Sequence, residues 1–191
     1  MAFYSEEELR RIGFKSIGNN VKISKLCSVY SPENIIVSDN VRIDDFTMLS
    51  ASQGEIIIGS NVHIAVFCAV YGAGGVEIRD FAGLSSRVVL YSATDDYSGR
   101  FLTNPTVPSK YLNVIKGKIV LNKHVIIGTN STVLPSVNIG EGSAVGAHSL
   151  VNKDLGSWGV YMGSPVRKIN ERAKKLLDFE AEYLSNNYFR G

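Results

Sequence analysis

Aliphatic residues return every six positions along most of this chain. Leu121, Ile127, Val133, Ile139, Val145 and Val151 form an unbroken run, and the same register continues backwards in triplets: Ile78, Leu84 and Leu90; Ile58, Ile64 and Val70; Val37, Ile43 and Leu49; Ile17, Ile23 and Val29. Ile, Leu and Val make up 51 of 191 residues, so eighteen positions would collect about five of them by chance. Four places after each repeat start stand small or β-branched residues: Val21, Cys27, Val41, Thr47, Val62, Cys68, Ala82, Val88, Val125, Ser131, Val137, Ser143 and Ser149. A period of six is neither the 3.6 of a helix nor the two of a simple strand. It predicts short strands separated by bends, three to a turn, with the aliphatic side chain returning to one axis. Stacked at roughly 4.8 Å, about six such turns make a prism on the order of 25 Å tall, a parallel β-helix in which each coil meets only its neighbours. The small residues suit its narrow interior, and both cysteines read as core filler, ahead of a reactive role.

Departures from the period cluster. The intervals between triplets exceed six at Val29 to Val37, Leu49 to Ile58, Val70 to Ile78 and, most of all, Leu90 to Leu121, so every insertion falls at one corner of the prism. Insertions on one side of a solenoid commonly build its binding face. The long excursion, 95–118, opens with "SATDD" and is stiffened by Asn104-Pro105 and Val107-Pro108; a tolerated surface loop is the plainer alternative. Outside the repeats, Ser5 and Glu8 stand in capping-box spacing with Gly13 as a stop, which predicts a helix at 5–12 covering the first coil. Ile169, Ala173, Leu176, Leu177 and Leu184 predict a C-terminal helix after Pro165, packed along the prism or on a neighbouring chain. The expected organisation is a cap at 1–16, a β-helix at 17–157 and a C-terminal element with helix at 158–191.

Composition narrows the chemistry. A net charge of +2 is too small to mark nucleic acid as the partner, and no apolar run approaches the roughly 18 residues of a membrane span. The N-terminal segment lacks the basic start and apolar stretch of a signal peptide, so a cytoplasmic location is expected. Two cysteines give neither a disulfide framework nor a CxxC motif.

The stretch "IGTNSTVLPSVNIGEGSAVGAHSLVNKDL", followed by "YMGSPVRKI", resembles the hexapeptide-repeat acyltransferases. The resemblance is strongest to the branch of galactoside and maltose O-acetyltransferases that includes enzymes modifying surface polysaccharides. It covers nearly all of residues 17–170, with "GSPVRKI" in the place of that family's "GNPAKVI". It implies a left-handed coil, which the spacing alone does not supply, a homotrimer, and acetyl-CoA as co-substrate in the groove between adjacent prisms, with no metal. By the same resemblance Gly128, Thr129, Gly146 and Ala147 line the path of the pantetheine arm, and Arg167 and Lys168 lie near the phosphorylated adenosine end, where cations have a charge to meet. Trp158 either contacts the adenine or closes the last coil. The implied setting is the modification of a lipopolysaccharide or capsule precursor.

At the catalytic position the chain departs from the pattern. Where the sugar O-acetyltransferases carry a motif like "YTATHP" ending in the histidine that deprotonates the hydroxyl, this chain reads "YSATDD" and puts Asp95 there. An aspartate with an ordinary pKa near about 4 is a weak base for a hydroxyl. His124 and His148 read as surface or packing residues, whereas His63 is expected to project outward one coil below Asp95. In a trimer it would meet a neighbour's loop and act as base, oriented by Asp95 or Asp96. Asp96 and Tyr97 are candidates for binding the acceptor. The reading that follows is acetyl-CoA-dependent acetylation of a sugar hydroxyl by direct attack on the thioester. The alternative is N-acetylation of a nucleotide-linked amino sugar, whose neutral amine is already nucleophilic. A zinc enzyme would need three converging histidines, and a non-catalytic scaffold is the remaining class.

Overall fold

The computed structural model describes residues 2–188. The chain winds into a parallel β-helix with three faces. Six strands form the first face: Ser16–Ile17, Ile35–Val37, Ile56–Ile58, Val76–Ile78, Ile119–Leu121 and Asn138–Ile139. The second face stacks Lys22–Ile23, Arg42–Ile43, His63–Ile64, Gly83–Leu84, Ile126–Ile127, Ala144–Val145 and Gly159–Met162, and ends on an antiparallel strand, Arg167–Glu171. On the third lie Ser28–Tyr30, Met48–Ser50, Ala69–Tyr71, Val89–Tyr91, Thr132–Val133 and Leu150–Val151.

The register follows the six-residue pattern position by position. Ile23 pairs with Ile43, Ile43 with Ile64, Ile64 with Leu84, Leu84 with Ile127 and Ile127 with Val145, and the other two faces repeat this with their own triplet residues. Ile17 and Val29, in the first coil, are partly buried and the remaining triplet residues are buried. Each fully buried Ile or Leu contributes about 1.5–3 kcal/mol over exposure. All the small residues four places on are buried too. Burial pushes the Cys27 thiol up to about 12 and the Cys68 thiol up to about 11, as befits packing atoms.

Three features differ from the sequence expectation. The coil stack continues into a seventh turn, where Leu155, Tyr161 and Val166 fill the core at spacings a strict count of six skips. Residues 167–171 form a strand, not the start of a helix. The chain reverses at Gly163, whose φ is +109°, and the returning strand covers the open edge of Gly159–Met162 and satisfies its backbone groups. The C-terminal helix therefore begins later, at Leu176–Tyr188 (α2), and lies against its own prism: Tyr183 donates to Asn61 Oδ1 at 3.0 Å and Glu180 meets His124 Nε2 at 2.9 Å. The N-terminal helix, Glu6–Ile12 (α1), has the expected capping box and buries Leu9 over the first coil.

The insertions lie where the spacing puts them, between the third face and the next turn of the first. The long one leaves the prism as Ala93–Thr94, pairs antiparallel with the returning Ile115–Lys116, and is rooted on Ser92, which is buried and donates to the carbonyl of Tyr71 at 2.6 Å.

Candidate active site

A groove of about 290 Å³ runs along the corner between the second and third faces, lined by His63, Ala65, Gly83, Ser85, Ser86 and Ile126. The coil geometry makes it. His63, Gly83 and Ile126 each precede an inward aliphatic residue, so they face outward on successive rungs. Ala65 and Ser85 follow such residues, where the chain bends.

His63 is the one ionisable side chain among the residues that line the groove. Its Nε2 lies 2.8 Å from Asp44 Oδ2, and Arg42 Nε donates to Asp44 Oδ1 at 2.7 Å. Asp44 is buried, which works against its charge, but the hydrogen bonds from Arg42 and His63 outweigh this and hold its carboxyl below the usual carboxylate range. The partner expected for His63 was Asp95 or Asp96. Within one chain it is Asp44, since the excursion leaves from a different corner and none of its residues lines the groove. Asp44 was legible in principle: it directly follows the strand Arg42–Ile43, two places after Arg42, and Arg42 sits one repeat below His63.

The acidic pair divides its work. Asp96 is spent inside the excursion, accepting from the backbone NH of Ser98 at 2.6 Å and from Asn113 Nδ2 at 2.8 Å, and these bonds hold its pKa below the usual carboxylate value. It organises the loop, and both oxygens expected to bind acceptor are occupied. Asp95 is half-buried, and among the described residues no hydrogen bond or ion pair engages its carboxylate. Tyr97 is exposed. Below the root of the excursion, Tyr71 and Tyr91 stack at 4.7 Å.

The residues expected along the coenzyme path form a continuous edge on the same corner, and at Gly128 the smallness also has a cause inside the coil stack. A Cβ on Gly128 would stand 2.5 Å from the backbone nitrogen of Ala147, and one on Gly146 would stand 2.7 Å from the Met162 side chain. Thr129 ties its coil to the one before by donating to the carbonyl of Ser86 at 2.6 Å, and Ala147 is exposed. Arg167 and Lys168 lie exposed on the last antiparallel strand, where Glu171 pairs with Lys168 and raises its pKa. Trp158 closes the coil, its ring against Gly142. His124 is a buried packing residue, stacked on Phe81 at 5.2 Å, and His148 is exposed beside Asn130. Among the described residues no group of three or more His, Cys, Asp or Glu side chains converges as a metal site would, and no helix is long and apolar enough to cross a membrane.

No protein-family model matches the chain. It is 48% identical over 183 residues to the dTDP-4-amino-4,6-dideoxy-D-glucose acyltransferase of Escherichia coli, covering 96% of this chain and 95% of that one. Among solved structures it resembles AntD, an N-acyltransferase from Bacillus cereus, in complex with dTDP and 3-hydroxybutyryl-CoA. The TM-score is 0.95 with 51% identity, over 98% of this chain and all of that one. AntD variants altered at an aspartate, or at a serine ten positions before it, are as similar. A hexapeptide-repeat-containing acetyltransferase from Vibrio cholerae, complexed with acetyl coenzyme A, shares the fold at a TM-score of 0.62 and 20% identity, over 87% of this chain and 75% of that one. The repeat, the coil stack it builds and the near full-length identity to a sugar acyltransferase agree: the chain is an enzyme of the hexapeptide-repeat acyltransferase family.

Proposed function

We propose that the protein transfers an acyl group from an acyl-coenzyme A to the amine of a dTDP-linked amino sugar. The observation that carries this reading is the identity, over nearly the whole of both chains, to an enzyme acting on dTDP-4-amino-4,6-dideoxy-D-glucose. It favours the N-acyl alternative over transfer to a hydroxyl. The local chemistry agrees, because an aspartate stands where a hydroxyl-directed enzyme of the family carries histidine. The altered serine and aspartate of AntD have the separation that parts Ser85 from Asp95 and Ser86 from Asp96 here.

In this reading the coenzyme lies along the corner of Gly128, Thr129, Gly146 and Ala147, with Arg167 and Lys168 toward its phosphates and the thioester in the groove at Ser85 and His63. Asp95 accepts a hydrogen bond from the acceptor amine and aims its lone pair. Nitrogen attacks the thioester carbonyl, the C–N bond forms, the C–S bond breaks, and coenzyme A departs as a thiolate. The surplus proton on nitrogen neutralises that thiolate, with His63, held by Asp44, placed to relay it. Asp95 and the groove lie at different corners of one prism, so the site is completed between neighbouring copies of a homotrimer. Both co-substrates fit a cytoplasmic location.

The test is an acceptor screen by mass spectrometry, offering dTDP-4-amino-4,6-dideoxyglucose, a UDP-linked amino sugar and dTDP-glucose with acetyl- and 3-hydroxybutyryl-CoA. Acylation of the dTDP-amino sugar is expected, with Asp95→Asn lowering kcat/KM about tenfold to a hundredfold, the worth of a hydrogen bond to a charged group. Transfer to dTDP-glucose without transfer to the amines would overturn the reading.

A further inference from the structure

Gly83 is a glycine its own fold does not require. It sits in mid-sheet, paired with His63 on one side and Ile126 on the other, and its φ lies outside the left-handed region. A Cβ added there would meet nothing nearer than the carbonyl oxygen of His63, at 3.9 Å. Glycine inside a strand weakens it, and where the backbone does not demand one, the usual reason is something that approaches closely from outside. The neighbouring rungs carry large side chains, so Gly83 is a notch between His63 and Ile126.

The notch joins two spaces. On one side is the groove of Ser85, Ser86 and His63; on the other is a cleft of about 360 Å³ between the second face and α2, walled by Phe81, Leu176, Phe179 and Tyr183. Gly83 and Ile126 line both. The cleft's charged members are already satisfied: Glu180 pairs with Lys123 and His124, and Arg172 donates to the carbonyls of His124 and Gly142 at 2.8 and 2.9 Å. What it offers a visitor is carbon. A sugar or a phosphate would lose hydrogen bonds there, whereas an acyl chain would lose none.

We propose that Gly83 is the residue that sets acyl-chain size, its missing side chain letting the tail of the acyl group pass from the thioester groove into the cleft under α2. This rests on the acyl-coenzyme A reading given above. The reaction is unchanged; only the space beyond the acyl α-carbon is assigned.

The experiment measures kcat/KM for acetyl-, butyryl- and 3-hydroxybutyryl-CoA with dTDP-4-amino-4,6-dideoxyglucose, in the wild type, Gly83→Ala and Gly83→Val, alongside melting temperature and sedimentation. One added methyl in an apolar passage discriminates about tenfold or more, so Gly83→Ala is expected to lower the ratio of four-carbon to acetyl transfer by about that factor. Gly83→Val is expected to lower it further, while Gly83→Ala melts no lower than wild type and keeps its oligomeric state. An equal fall for all three thioesters overturns the proposal. So does dissociation of the oligomer by Gly83→Ala, which would mean that a second chain occupies the notch. A wild type that transfers no acyl group to this acceptor from any of the thioesters overturns the acyl-transfer reading itself, independently of what the variants do.

Discussion

Asp44 carries a buried charge between Arg42 and His63, and its place in the chain explains why an outward histidine is not free to turn. Taken alone, a carboxylate with one edge on a guanidinium and the other on an imidazole is a device for fixing a ring, because the guanidinium holds the carboxylate in place and the histidine must break its bond to that fixed group before it moves. Asp44 touches neither co-substrate in the proposed site, so it acts by positioning. Asp44→Asn retains the shape and can still accept from Arg42 or His63, but loses the charge that makes those bonds strong. Turnover is expected to fall about tenfold with KM for the dTDP-amino sugar nearly unchanged, whereas His63→Ala falls about a hundredfold. Steady-state kinetics on both variants check this. A fall in Asp44→Asn that appears in KM alone would mean that Asp44 shapes the binding surface and leaves the histidine's work untouched.

Among the elements, α2 depends on a cluster of charges at the corner between the first and second faces. Glu180 lies against Lys123 and the buried His124, so burial raises its pKa while the two partners lower it further, and the net direction is down. A carboxyl whose folded pKa is depressed stabilises the fold fully above its unfolded value, near about 4.3, and loses that contribution as pH falls through the folded one. The melting temperature of Glu180→Gln is therefore expected to lie below that of the wild type at pH 6–8, by about 1–3 kcal/mol of stability. The gap should close below about pH 4. A gap independent of pH would place the cost of Glu180→Gln in packing.

This cluster also marks where sequence reasoning ran out. A repeat of six dictates which side chains point inward, because each coil has three interior positions and the register links them, so Ile23, Ile43, Ile64 and Leu84 could be stacked before any coordinates. Nothing in that count says what covers the outside. The path of residues 167–171 depended on an open strand edge, which outweighed the helical spacing of Ile169, Ala173 and Leu176. At the site, the spacing exposed His63 and located the excursion at its corner. The bond from His63 to Asp44 of its own chain is a fact of which corner each residue occupies, visible only once the coils are wound.

The same corners set a constraint on the whole molecule. The groove at His63 and the root of the excursion at Asp95 belong to different edges of one prism, and the excursion lends no residue to the groove. If both residues serve one reaction, a second chain must supply one of them. In a cyclic trimer each site then takes His63 from one subunit and Asp95 from the next. Mixing His63→Ala chains with Asp95→Asn chains in equal amounts makes about three-quarters of the trimers mixed, and each mixed trimer contains one interface with both natural residues. The co-expressed mixture, with the two chains separately tagged, is thus expected to recover about one quarter of wild-type activity although each variant alone is impaired. Recovery would have to disappear when both substitutions are placed on the same chain and mixed with a doubly substituted partner. If the mixture is no more active than the average of its two components, His63 and Asp95 do not share a site across an interface. The histidine and the aspartate would then belong to separate steps or to none.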